Sequence, residues 1–310
     1  MTRPGLQPAP SARWGSAQLW AWQGHGCYWQ QLGDRAHPPL LLLHGFGASS
    51  GHWRRNAAAL AAAGWCVYGL DLVGFGRSSQ PGLRRWQRLD NRLWARQVQA
   101  FAEQVVQAPV VVVGHSLGGL AALTAGVLAP DWVRAVVAAP LPDPSLLLPP
   151  SQGSRRPWRR RLKRLMVTLL CRLLPLELIV PVLVHSPLLD LAIQLAYREG
   201  VIGDRELRRL IARPASRPTA ARALRAMSTA MALRPAAATA RALLPRLQQP
   251  MLLIWGADDR LVPLEVGDQC RALKPGADWQ RIEHCGHCPH DERPETFNAL
   301  LLEWLGRTLA

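Results

Sequence analysis

The sequence predicts an α/β fold, a mostly parallel, doubly wound sheet with a helical insertion late in the chain. Three observations carry that expectation. Short, continuous apolar runs such as "PLLLLHG", "PVVVVG" and "PMLLIWG" alternate with longer helix-patterned stretches, as strands buried on both faces beneath crossover helices should. The alternation breaks once, from about Leu141 to Gln249, where Ala/Arg-rich helical pattern takes over. The 310 residues are 49% apolar and 19% charged, a globular composition in a chain long enough to bury a full core.

Taken in order, residues 1–18 open with the Pro-rich "MTRPGLQPAPSARWGS" and read as a loose tail. "AQLWAWQGHGCYWQQLG" alternates bulky and small residues about a Gly-His-Gly turn, the pattern of a hairpin. "PLLLLHG" is the next strand, "GHWRRNAAALAAAG" a helix ended by Gly64, and "WCVYGLDL" a further strand. The helix "NRLWARQVQAFAEQVVQ", the strand "PVVVVG", the helix through "GGLAALTAGVLA" and the strand "VRAVVAAP" complete the first half. Far downstream "PMLLIWG" and "DWQRIEHC" resume as strands, and "ETFNALLLEWLGRTL" closes the chain as an amphipathic helix. The expected organisation is a core of residues 19–144 and 246–310, with residues 145–245 inserted as a helical cap.

The formal charge of +16 is almost entirely Arg, since Lys163 and Lys274 are the only lysines. Such a charge suits a polyanion or an anionic membrane surface, and it also follows from Arg-rich codon usage alone. The run Arg155–Arg164 holds seven positive charges in ten positions and precedes the apolar "LMVTLLCRLL". Peripheral contact with an anionic membrane is one expectation for it, and a solvated helix face is the other. Nucleic-acid binding is not expected, because no binding motif is present and aromatic residues do not interleave with the arginines. The first 30 residues hold no uninterrupted apolar stretch, and six cysteines in a chain this long are no disulfide framework. A cytoplasmic protein without a secretory signal or a membrane span is therefore expected. Nothing in the sequence indicates an oligomeric state.

The most specific local signal is "VVVVGHSLGGLAAL". Gly114-His115-Ser116-Leu117-Gly118 is a G-x-S-x-G sequence between an apolar strand and a helix. A serine on so sharp a turn projects its hydroxyl above the sheet edge, and the flanking small residues let strand and helix approach. Ser116 needs a base, and the base needs an orienting acid. In open parallel sheets both come from loops at the carboxyl ends of strands. "PMLLIWGADDRLVP" ends one such strand with Asp258 and Asp259, and "WQRIEHCGHCPH" ends the next with a histidine cluster. Ser116, Asp259 and His287 then form the serine, acid and base of a catalytic triad, with Asp258 and Asp143 as rival acids. The oxyanion of a tetrahedral intermediate needs two N–H donors. Leu117 supplies one, and Phe46 in "LLLLHGFGAS" the other, with Gly45 and Gly47 letting that loop turn. His44 and His115 border the site and are expected to fix loops by hydrogen bonding, and Asp71 to structure the loop below.

With "HGFGAS", "GHWRRN", "DLVGFGRSSQP", "GHSLGG", "WGADDRLVP" and "GHCPHDERPE", the chain resembles the α/β-hydrolases over roughly residues 19–145 and 245–309. The last motif, together with "GHWRRN" and "GFGRS", is similar to the photosynthetic branch of pheophytinase and chlorophyll dephytylase. His115 departs from that branch, whose plant pheophytinases carry Asn there. The resemblance implies Ser116 as nucleophile, Asp259 as acid, His287 as base, and a phytyl ester of a chlorophyll-type pigment as substrate. Peripheral attachment to a membrane such as the thylakoid follows from it as an expectation. Read from the residues alone, the function is hydrolysis of an apolar small-molecule ester. Acyl transfer, or amide or C–C cleavage, on the same triad is the alternative, and a non-catalytic binder of hydrophobic ligands comes after these.

The run "EHCGHCPH" sets His284, Cys285, His287, Cys288 and His290 within seven residues. A tetrahedral metal site would need convergence from neighbours whose side chains diverge, and a redox Cys-x-x-Cys lacks its strand–helix context. Neither a metal nor a cofactor is expected. Gly286 is expected to turn the chain so that His287 reaches Ser116, and "DERPE" to start the last helix.

Overall fold

A computed structural model describes residues 13–82, 88–147, 165–166, 168–171 and 173–309. β1 (Ser16–Trp22) folds back on β2 (His25–Leu32) through Gln23 and Gly24, whose φ angles of 47° and 76° make the two-residue turn suited to strand twist. The turn thus starts one residue earlier than the Gly-His-Gly reading placed it and keeps only Gly24 of that trio, because His25 and Gly26 already pair with Trp22 and Ala21. The strand also takes up Ser16–Gln18, the end of the expected tail.

β3 (Pro39–Leu43), α1 (Ala57–Ala62), β4 (Cys66–Leu70), α2 (Asn91–Phe101), β5 (Val110–Gly114), α3 (Leu117–Leu128) and β6 (Val133–Ala138) follow in strand–helix alternation. After the short α4 (Pro144–Leu147) comes a helical stretch of α5 (Leu176–His185), α6 (Leu188–Gln194), α7 (Arg205–Ala215), α8 (Ala220–Ala232) and α9 (Ala240–Leu243). β7 (Met251–Gly256), α10 (Leu264–Leu273), β8 (Asp278–Ile282), α11 (Pro289–Glu292) and α12 (Pro294–Leu309) close the chain. The eight strands form one sheet in the order β1-β2-β4-β3-β5-β6-β7-β8, parallel from β4 to β8 with the β1–β2 hairpin antiparallel at one edge. This is the α/β-hydrolase architecture. The helical stretch lies between β6 and β7, which are sheet neighbours, so it leaves and rejoins the core at one point. The basic run Arg155–Arg164 and residues 1–12 of the tail lie outside the described residues.

Successive strand residues alternate between two apolar layers. Leu41, Leu43 and Val112 face α2 and α3, while Leu40, Leu42, Val111 and Val113 face α1 and α12. Both layers are fully buried, which is why these strands read as unbroken apolar runs. Two helix starts differ from the sequence reading. Ser50–Trp53 forms a 3-10 turn, so the helix expected from Gly51 begins at Ala57. "DERPE" is split, because α11 ends at Glu292 and Pro294 opens α12, lacking the N–H that would continue the preceding turn.

Candidate active site

Ser116 joins β5 to α3 with φ 52° and ψ −117°, a conformation that non-Gly residues rarely adopt. Close packing holds it there. A Cβ at Gly114 would fall 2.1 Å from the Gly118 carbonyl oxygen, and one at Gly118 would fall 2.4 Å from that of Leu43. Strand, turn and helix therefore cross at a separation that glycine alone permits. α3 begins at Leu117, so its unpaired first-turn N–H groups lie beside the serine.

The structure brings Ser116, His287 and Asp259 together. His287 Nε2 lies 3.0 Å from Ser116 Oγ, and its Nδ1 lies 2.9 Å from Asp259 Oδ2. The carboxylate is buried, and its other oxygen accepts the N–H groups of Leu261 (2.8 Å) and Val262 (2.9 Å). With Asp259 accepting from Nδ1–H, the Nε2 lone pair faces the serine hydroxyl. The acid and base loops cross closely, since a Cβ on Gly256 would lie 2.0 Å from the Gly286 carbonyl oxygen. The expected role of Gly286 shifts here. The tight turn falls at His284 (φ 52°), whereas Gly286 makes room for the backbone of Ala196 and Arg198. His287 N–H donates to the Ala196 carbonyl at 2.8 Å, so the helical insertion itself holds the base.

Of the rival acids, Asp258 is paired with Arg198 at the surface. Asp143 is buried, but it accepts from Arg234 Nη2 and the Ala240 N–H, each at 2.7 Å, at the foot of the insertion. Asp71 accepts the N–H groups of Ser50 (2.6 Å) and Arg77 (2.7 Å), tying two loops. His44 donates through Nδ1 to the Gly45 carbonyl (2.8 Å) and accepts the Leu72 N–H at Nε2 (3.1 Å). Burial lowers its pKa and keeps it neutral. Gly45 lies against Ser116, where an added Cβ would meet the His115 ring at 2.6 Å. The Phe46 loop is thereby pressed to the serine, and Phe46 and Ser116 both line the same cavity. His115 donates from Nε2 to the His287 carbonyl at 3.0 Å and so steadies the base.

Sequence reading did not foresee the surroundings of His115. His52, His115 and His290 are buried together, with one nitrogen of each within 4.8 Å of the others. Burial is the main reason that all three are held neutral, with His52 lowered to about 4 and the other two pushed well below 6.5. Nδ1 of His52 and of His115, and both nitrogens of His290, find no hydrogen-bond partner among the described residues. Around His52 the Asp291 carboxylate and the Arg54 cation act in opposite directions, so burial dominates. The five ligand-type side chains read at 284–290 disperse. Cys285 and Cys288 are buried thiols whose pKa rises mainly through burial, the reverse of a reactive thiolate.

The trio leads into a polar network that joins insertion to core. His52 Nε2 donates to the Tyr197 hydroxyl (2.8 Å), which donates to Asp291 Oδ2 (3.0 Å). Arg54 bridges Asp291 (3.0 Å) and Asp204 (2.6 Å), and Asn56 Nδ2 donates to the His290 carbonyl (2.9 Å). The residues of "GHWRRN" and "PHDERPE" thus form one buried unit. Their co-occurrence in sequence has a packing cause, and a signal was available in their polar character at helix starts.

A cavity of about 510 Å³ ends on Ser116 and His287. Its walls include Val180, Leu183, Ile193, Leu224, Met227 and Phe75. No Asp, Glu, Lys or Arg lines it among the described residues. The volume is that of a small-molecule site, and most of the roof comes from α5 to α8.

A family model described as "alpha/beta hydrolase fold" matches residues 38–294. A 2-hydroxy-6-oxononadienedioate/2-hydroxy-6-oxononatrienedioate hydrolase of Cupriavidus pinatubonensis is 28% identical over 281 residues, covering 86% of each chain. The human (lyso)-N-acylphosphatidylethanolamine lipase is 32% identical over 99 residues, 32% of this chain and 29% of the lipase. Among solved structures, a membrane phospholipase A described as a bacterial virulence factor superposes with a TM-score of 0.71 at 25% identity, covering 96% of this chain and 87% of that one. None of these three is a pigment esterase.

Proposed function

The chain belongs to the α/β-hydrolase fold family and is an enzyme, and from that premise we propose that it is a serine hydrolase cleaving a carboxylic ester with a bulky apolar group. Ser116 Oγ attacks the ester carbonyl while His287 Nε2 takes its proton, and Asp259 holds the imidazole and stabilises its charged form. The N–H groups of Phe46 and Leu117 receive the oxyanion. Collapse of the tetrahedral intermediate breaks the C–O bond, and His287 returns the proton to the leaving alcohol. Water, deprotonated by His287, then attacks the acyl-enzyme and frees the acid and Ser116.

The observation that carries this reading is the cavity ending on the Ser116–His287 pair, which no Asp, Glu, Lys or Arg lines among the described residues. Each methylene buried there contributes about 0.8 kcal/mol, so affinity should rise with the length of the apolar group. A phytyl ester of a chlorophyll-type pigment is the specific substrate the motif resemblance implies, and its branched hydrocarbon tail suits such walls. Ser116→Ala should abolish turnover of a short p-nitrophenyl ester, a loss of at least about 10⁴-fold, with the melting temperature retained. Wild-type turnover by that variant would refute the mechanism. Chlorophyll a, pheophytin a and a neutral lipid ester, assayed in parallel, decide the substrate, and absence of released phytol excludes the pigment.

A second reading, C–C hydrolysis on the same triad, is favoured by the Cupriavidus relative, whose name describes a dicarboxylate substrate. The cavity speaks against that substrate here. Burying a carboxylate with no cation to pair it costs several kcal/mol, and the described lining offers none.

A further inference from the structure

Two of the helices that roof the cavity, α5 and α6, are apolar on both sides. Val184 on α5 and Leu189 and Ile193 on α6 are buried, yet Leu178, Val182 and Leu191 on the same two helices are 69%, 65% and 55% exposed. The exposed run continues upstream through Leu170 and Leu173. A helix apolar all round is ordinarily covered on every side, and a water-facing patch of this extent marks a contact surface. α5 and α6 meet at 85°, and neither helix is long enough to cross a bilayer. The bend lays two short apolar helices along a surface instead.

Charge identifies what the surface meets. Residues 145–245 carry 18 of the 37 basic side chains but only 5 of the 21 acidic ones, so +13 of the chain's net +16 belongs to this insertion. Apolar side chains on a strongly cationic segment match the interface of an anionic bilayer, where apolar burial and attraction to lipid headgroups add. We propose that the outer face of α5 and α6 docks on an anionic lipid surface. α5 also supplies Val180 and Leu183 to the cavity wall, so docking sets the roof of the cavity against the membrane. Phe46 and Leu261 line the cavity while 59% and 50% exposed, marking its rim. In combination with the apolar ester reading above, the docked enzyme draws substrate from the bilayer without passage through water.

The test is flotation of the full chain with vesicles of phosphatidylcholine alone, or with about 30% phosphatidylglycerol, at about 0.05 M and about 0.5 M salt. Wild-type protein should float with the anionic vesicles at low salt, more weakly at high salt, and poorly with phosphatidylcholine alone. The double variant Leu178→Glu, Leu191→Glu should lose at least about tenfold in bound fraction while its melting temperature and its turnover of a soluble ester stay at wild-type level. Failure of the wild type to float on anionic vesicles at low salt overturns the proposal. So does equal flotation of the double variant, or a wild-type dimer in light scattering that the double variant dissolves, since a second copy would then cover the face. Flotation needs no catalysis, so Ser116→Ala should float like wild type. A failed esterase assay would therefore leave docking standing, and failed docking would leave the esterase reading standing.

Discussion

Acid should unfold this protein well above the pH at which its carboxylates titrate, and the buried imidazoles set the scale. His52 is held neutral by burial, its pKa lowered from 6.5 to about 4. The unfolded chain takes up a proton as pH falls below about 6.5, while the folded chain resists until about 4, so the unfolded state binds more protons in that window and stability falls as pH falls. A shift of about 2.5 units is worth about 3 kcal/mol in total, and about 2 kcal/mol of it is lost by pH 5. His44, His115 and His290 are shifted in the same direction, so the summed loss is larger and takes a substantial part of a typical domain stability of 5–15 kcal/mol. Asp204 and Asp291 have lowered pKa values, so their stabilisation is present above about 3.8 and is lost only below it. The two windows do not overlap. Urea unfolding followed by tryptophan fluorescence should give a stability at least about 2 kcal/mol lower at pH 5 than at pH 7.5. His290→Leu removes a titrating ring whose nitrogens have no partner among the described residues. It should reduce that difference while costing under about 1.5 kcal/mol at pH 7.5. Equal stability at the two pH values, or an unchanged difference in the variant, would refute the assignment of the acid response to these histidines.

The adjacent carboxylates offer a sharper test of the triad. Asp259→Asn should lower kcat by about 10³–10⁴-fold by upsetting the His287 tautomer, whereas Asp258→Asn, at the exposed Arg198 pair, should leave kcat within about twofold; ester hydrolysis by the two purified variants separates them. Arg54→Ala removes the nearer guanidinium of Asp291, leaving it Arg55 and the Tyr197 hydroxyl, and breaks the bridge to Asp204 that joins insertion to core. It should destabilise the fold by about 3–5 kcal/mol, read as a lower urea midpoint.

The architecture was legible because its causes are local. Strands such as Leu40–Leu43 and Val110–Val113 are apolar on consecutive residues because both faces of a parallel sheet are covered, and that demand appears directly as sequence pattern. The order of serine, acid and histidine was readable for a related reason, since strand ends collect at one edge of the sheet. The hairpin turn starts one residue before the Gly-His-Gly trio because Gly26, although suited to a turn, pairs with Ala21, and that pairing is a tertiary fact. "DERPE" was read as a single helix start because acidic residues suit one, and the break before Pro294 needed the three-dimensional path of the chain.

The sequence by itself determined the sheet, the helical stretch before its last two strands, and that a serine, a pair of carboxylates and a histidine cluster stand at strand ends, because these follow from periodicity and from the chemistry of single positions. Only the tertiary structure decided what surrounds them. It turned Asp258 outward to Arg198 and Asp259 inward to His287, a choice between neighbours that composition does not distinguish. It gathered His52, His115 and His290, which are 63 and 175 residues apart in succession, into one buried cluster. It also gathered apolar side chains of α5 to α8 over Ser116 into a cavity that no Asp, Glu, Lys or Arg lines among the described residues. Each of these depends on contacts between distant segments, and the side that a residue presents to such a contact is set by packing.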